Sequence, residues 1–562
     1  MNSAPVEPQA LPDQAGTVAV DLSLAGAAAL ALAGCGGGGG GGGGSPPPAP
    51  VPQAPTVEQA ARFLAQASMG ASREQIARVQ ALGYRGWLEE QFALPPTQSR
   101  WDWLVSKGYD DASYRNSEAG FDGSAWRKLF AAPDTLRQRV TLALSEIFVA
   151  ALDGFVGGGW RAFTGAAYLD LLEANAFGSY RTLLQQISTS APMGEYLTFR
   201  GNRRYNPATG ALPDENYARE VLQLFSIGLY RLNPDGTVVT AGGKPQETYG
   251  QDDITGLARV FTGWDYDLAG GDTSRPDFKR RPMIQIAGRH ESGAKTFLGL
   301  TIPDGSDGVA SLNMALDHIA AHPNVAPFIS RQMIQRLVCS NPSPAYVARV
   351  AAVFNDNGSR ARGDLKAVIA AILLDDEARG DAGLVHPGFG KLREPMLRFV
   401  AWGRAFAANS ASDVWAIGNT SDPASRLGQS PLRSPSVFNF FRPGYAPPNS
   451  AIGDAALVAP EFQITNESTV VGYLNYMQNA VSRGVGDVVA DYTSLATLAD
   501  SAGNLVDEIN VVLASSQLSA ATLTTVKGAV GSMASGTATA RNNRIYAALL
   551  LVLAAPEFIV QK

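Results

Sequence analysis

Nine consecutive glycines, Gly36 to Gly44, set the first boundary on what this chain can fold into. A residue without a β-carbon has no side chain to bury and loses the most backbone freedom on ordering, so such a run cannot join a packed core. Ser45 and a Pro/Ala stretch to Pro55 follow, which is stiff and poor in backbone donors. Residues 36–56 therefore read as a disordered tether, and a folded body is expected from 57 to 562.

Upstream, Leu22 to Ala33 is a twelve-residue apolar run, short for a bilayer span and of the length of a signal-peptide core. It ends in Leu32-Ala33-Gly34-Cys35, which resembles the bacterial lipobox, whose cysteine is acylated on sulfur. Residues 1–35 thus read as a lipoprotein-type signal segment, with Cys35 as the lipidation site. One departure is that the first basic residue is Arg62, while Glu7, Asp13 and Asp21 are acidic, so the usual positive n-region is absent. Gly36 is not the aspartate that favours inner-membrane retention. An outer-membrane lipoprotein, or a periplasmic or otherwise exported protein, is expected.

The body favours helix: Ala/Leu/Val/Arg segments dominate and alternating β-branched runs are scarce. A mainly α, multi-helical globular body with long irregular loops and few short strands follows, with a possible sub-boundary near 265–310, where Gly, Asp and Arg replace helix formers. The net charge of −6 and the lack of any Lys/Arg-rich stripe argue against a nucleic-acid partner. Two cysteines, Cys35 and Cys339, make no disulfide framework, and Cys339 in an apolar run reads as a buried thiol.

The densest chemistry lies at 214–264. Asp214 is placed to cap a helix whose apolar face is Ala218, Val221, Leu222, Phe225 and Leu229, ending at Gly228. A second helix carries Ile254, Leu257, Ala258 and Phe261, with Asp252 and Asp253 at its positive end and Gly263 stopping it. Glu215, Asn216, Arg219 and Glu220 crowd the first helix beside Tyr217. They read either as a structural polar network or as a pocket wall. Glu220 is expected to be buried and paired, with Arg259 or Lys295 as its cation.

Three further groups stand out. In RHESGAKTFLG, His290, Glu291 and Lys295 bring a base, an acid and an ammonium together, for anion binding or acid–base work or as a loop anchor. His318 and His322 stand four apart, but Pro323 ends their helix at once and no Glu follows His318; neither a metal nor a cofactor is expected. PLRSPSVFNFFRPGY sets Arg433 and Arg442 among Phe438, Phe441 and Tyr445, which suits either a core or a binding surface. A nucleophile elbow, a P-loop and a dinucleotide fingerprint are all missing.

Several segments resemble, in order, the bacterial family known as domain of unknown function 1800. They include RFLAQASMGASREQIARVQALGYRGWLEEQF, DENYAREVLQLFSIG, YGQDDITGLARVFTGW, RHESGAKTFLG and LGQSPLRSPSVFNFFRPGY, and the likeness covers residues 58–562. The resemblance implies a bacterial, usually exported protein, often encoded beside a second exported family, and no established activity. Where many members carry a Trp-His-Asn-His-like stretch, this chain has Ala143 to Phe148 (ALSEIF), so chemistry resting on those histidines is absent.

The expected function is a lipid-anchored envelope protein acting as a binding or assembly component with another exported protein, touching the membrane through its anchor alone. The alternative is a hydrolase-like envelope enzyme using Glu215, Glu220, His290 and Lys295 in one pocket. An enzyme of that kind needs the 214–220 carboxylates and the 290–295 loop to converge on a cavity; a binding module needs an accessible aromatic surface instead.

Overall fold

A computed structural model describes residues 54–562, which form one mainly helical unit with long irregular stretches. The segments read as signal, lipobox and glycine tether lie outside the described residues, save the tether's last few. Among the described residues the only sheets are two-stranded antiparallel ribbons.

The entry is set by capping. Thr56 and Gln59 form a capping box at the start of α1 (Val57–Ala67), and Ser72 caps α2 (Arg73–Ala93), which Gly83 breaks midway at φ 68°. α3 (Phe121–Ala131), α4 (Thr135–Ile147) and α5 (Arg161–Ala174) then pack on one another. α4 is buried along nearly its whole circumference, its arginines included.

The 214–264 region holds two helices, as its pattern predicts, but the first is shorter. α6 runs Asn216–Gln223, with Asp214 Oδ1 accepting from the Asn216 amide at 2.7 Å. The helix is capped at Leu224 and the chain turns at Gly228 (φ 71°), so Leu229 is 48% exposed rather than part of the apolar face. α7 (Gln251–Val260) packs on α6 and on the ribbon of β1 (Lys295–Phe297) and β2 (Leu300–Ile302). The irregular 265–310 stretch joins the common core through Phe278, Met283, Phe297 and Ile302 instead of linking two cores.

α8 (Gly308–Ala321), α9 (Val325–Leu337), α10 (Pro344–Asn355) and α11 (Leu365–Leu374) follow, with Ser343 and Asp364 capping the last two. Asn324 sits at the start of α9 without capping it. Its side chain accepts from the Leu232 amide at 3.0 Å and donates to the carbonyls of Ile227 and Tyr230, holding the turn after α6. β3 (Lys391–Leu392) pairs with β4 (Val560–Gln561), and α12 (Pro395–Ala405) starts just after β3.

The contact of α7 with β1 is closest at Gly256, where an added β-carbon would stand 1.8 Å from the carbonyl oxygen of Thr296. Backbone cannot yield as a side chain can. Gly256→Ala should therefore lower stability by roughly 3 kcal/mol, whereas Gly528→Ala, in an exposed helix with open space, should be neutral or gain up to about 1 kcal/mol. Urea unfolding of the two variants against the parent checks both; equal midpoints for Gly256→Ala and the parent would refute the close approach.

Candidate functional site

α7 serves both halves of the 214–295 chemistry, but it keeps them apart. Glu215 accepts from Gln251 Nε2 and Thr255 Oγ1, each at 2.8 Å, and lies 3.6 Å from Arg219, so it fastens α6 to α7. Asn216 is exposed. Glu220 is 7% exposed, yet Oε2 has no partner, and burial pushes its carboxyl up to about 7, with Arg219 pulling weakly the other way. The expected partner is absent. Arg259 is exposed, and Lys295 Nζ donates to the Gly293 carbonyl at 3.1 Å.

The 290–295 loop is an anchor. His290 is buried, with Nδ1 3.0 Å from the Thr262 carbonyl oxygen and Nε2 3.3 Å from Ser311 Oγ, and burial lowers its pKa. Glu291 Oε1 accepts from the Gly293 amide at 3.2 Å. Among the described residues, no hydrogen bond or ion pair joins Glu215 or Glu220 to His290 or Lys295. The two histidines of the α8 end also go separate ways: His318 Nε2 meets the Leu298 carbonyl at 2.9 Å, and His322 Nδ1 accepts from the Asn324 amide. No group of three or more His, Cys, Asp or Glu side chains suited to a metal occurs among the described residues.

The 431–445 segment divides in two. Arg433 points inward to Glu118 at 2.6 Å and Asp122 at 3.1 Å, and Phe441 is buried beneath the Arg336 guanidinium, 4.8 Å from its ring centre. Phe438, Arg442 and Tyr445 instead line a cavity of about 840 Å³, with the Arg442 guanidinium 4.5 Å above the Phe438 ring. The turn that Asn324 holds supplies a second wall through Leu229 and Tyr230, and α9 a third through Phe328, Arg331, Gln332, Gln335 and Arg336. Positions 328, 331, 332 and 335 recur at three- and four-residue steps, which places them on one helical stripe. Neither this cavity nor a smaller one of about 510 Å³ beside Trp101, Asp170 and Lys279 is lined by Glu215, Glu220, His290 or Lys295.

The floor of the larger cavity is Glu146, at the end of α4, two helical turns after Arg139 and on its face. Arg336 Nε lies 3.4 Å from Glu146 Oε2, and Arg139 donates to the Arg336 carbonyl. Lys391, fully buried in β3, donates to the same carbonyl at 2.9 Å and stands 3.1 Å from Glu461 and 3.5 Å from Glu394. Gln429 Nε2 donates to Glu394 Oε2 at 2.7 Å.

Both oxygens of Glu146 and Oε1 of Glu394 are left without a hydrogen-bond donor. One proton between the two carboxyls resolves the shortage. Burial first, and then Glu394, hold the Glu146 carboxyl well above its usual range, so of the two carboxyls it is the one that favours the proton. Burial would raise Glu394 too, but Lys391, the hydrogen bond from Glu146, Arg139 and Arg336 outweigh it and keep Glu394 ionised. The floor thus carries a neutral acid beside a guanidinium, able to tolerate incoming negative charge.

These network residues were not singled out as a site by sequence pattern. The available signal was charge inside apolar runs: Arg336 in MIQRLVCS and the Lys391/Glu394 pair ahead of Pro395. A family model described as protein of unknown function (DUF1800) matches residues 62–560. No curated protein and no solved structure matches the chain.

Glu220 binds its proton more tightly folded than unfolded. Between its ordinary value of 4.5 and about 7 the folded state holds the extra proton, so its contribution is intact below that window and is lost as pH rises through it. Thermal melts across this window should show the parent losing on the order of 1–3 kcal/mol from this group, and Glu220→Gln lacking that slope and gaining on the parent at neutral pH. Parallel pH profiles for the two proteins would contradict the unpaired, buried carboxyl.

Proposed function

The chain belongs to the DUF1800 family of proteins of unknown function, and from its own residues we propose that it is a lipid-anchored cell-envelope protein. It acts as a binding or assembly component working with another exported protein. The observation that carries the binding half is the cavity of about 840 Å³: half-buried Phe438 and Tyr445 and the arginines Arg331 and Arg442 surround it, and its lining contains no serine, threonine, cysteine, histidine or lysine. Surfaces that join aromatic rings to arginine recur where proteins hold ligands and partners, because both residue types give large contact area at low ordering cost.

The alternative, an envelope enzyme using Glu215, Glu220, His290 and Lys295 together, draws no support from geometry, since the first pair serves α6 and the second anchors a loop.

The envelope half rests on Leu32-Ala33-Gly34-Cys35 and the glycine and proline run behind it. Among the described residues no helix is long and apolar enough to cross a membrane. A lipid carried on Cys35 would hold the helical body at the surface without one. Growing cells on an alkyne fatty acid should tag the parent chain, and Cys35→Ala should abolish the tag. Equal tagging of both chains, or of neither, would overturn the anchor.

A further inference from the structure

We propose, resting on the reading of this cavity as a binding site, that its ligand is a small amphiphilic oxyanion: a carboxylate or phosphate group seated among Arg331, Arg336 and Arg442, with an apolar body lying against Phe438, Tyr230 and Leu229.

Charge complementarity points this way. Four charged residue positions line the cavity, three arginines and Glu146. Only Arg336 has a carboxyl partner, Glu146, and at 3.4 Å that contact is loose. Among the described residues neither Arg331 nor Arg442 meets a carboxylate; burial lowers the pKa of the Arg331 guanidinium, and that of Arg442 lies over the Phe438 ring. The side-chain amide of Gln332, 9% exposed on the same wall, has an Nε2 with no acceptor. These three groups are a donor and two cations, and an oxyanion supplies the acceptors they lack.

Apart from Gln223, Gln335 and Gln463, the remainder of the lining is apolar or aromatic, including Leu224, Leu229, Tyr230, Val238, Phe328 and Val437. A small inorganic anion would leave that surface wet, whereas an acyl or ring body would cover it. Glu146 helps as well: with its proton held and shared with Glu394, it adds no repulsion at the floor.

Calorimetric titration of the purified full-length chain with octyl phosphate, octanoate and 1-octanol tests this at matched chain length. One or both anions should bind, the alcohol about tenfold or more weakly. Which anion binds better separates phosphate from carboxylate recognition. Arg331→Ala and Arg442→Ala, both at exposed positions, should each weaken the anions about tenfold while sparing the alcohol, and Phe438→Ala should weaken all three. If 1-octanol binds as tightly as the anions, or if the double arginine variant binds them unchanged, the oxyanion assignment is wrong while the cavity remains a binding site. If none of the three probes binds, the assignment and the reading of the cavity as a binding site both fall.

Discussion

The buried ammonium of Lys391 is the interaction on which the architecture of this site depends. A lone ammonium in that position would be prohibitive, because removal from water costs several kcal/mol even after relaxation. Here the charge is met by Glu394, Glu461 and the carbonyl of Arg336. Those partners come from the start of α12, the turn at Pro460–Ile464 and the last turn of α9. One side chain in a two-residue strand therefore pins three parts of the chain far apart in sequence, two of which bear on the cavity. Such a network specifies position more than it adds stability, since its Coulombic gain mostly repays desolvation.

Its charge balance reaches the cavity. Arg139, Arg336 and Lys391 face Glu394 and Glu461, and Glu146, held well above its usual range by burial and by Glu394, favours its proton rather than a further negative charge. The excess positive charge sits beneath a wall that already carries Arg331 and Arg442. In a partly desolvated cavity that bias is felt more strongly than on an open surface. The fold thus prepares a cationic floor without exposing a basic patch, which is compatible with a chain whose net charge is −6.

Much of the fold was legible locally. Caps at Ser72, Ser343 and Asp364, the helical periodicity of 214–264 and the scarcity of alternating strands all act over a few residues, so pattern reveals them. The early end of α6 was harder, because the Asn324 side chain, about a hundred residues on, takes the carbonyls of the turn after it. The site was legible in part. Phe438, Arg442 and Tyr445 were visible as an aromatic and basic segment, but nothing local tells them from Arg433 and Phe441, which turn inward to Glu118, Asp122 and Arg336. Glu220 is buried as expected and left unpaired, since its burial follows from helix periodicity whereas its partner depended on tertiary placement. The floor was hidden for the same reason. Glu146, Arg336, Lys391, Glu394 and Glu461 form one group only after the whole chain has closed.

The protonation of Glu146 is where this account can be tested most directly, because the shared proton, the ionised Glu394 and the cationic bias of the cavity all require it. An infrared difference spectrum between the parent and Glu146→Gln at about pH 8, far above the ordinary glutamate range, reads it without any ligand. The account predicts the carbonyl stretch of a protonated carboxylic acid in the parent and its disappearance in the variant. Loss of carboxylate bands instead, with no protonated carbonyl in the parent, would contradict it.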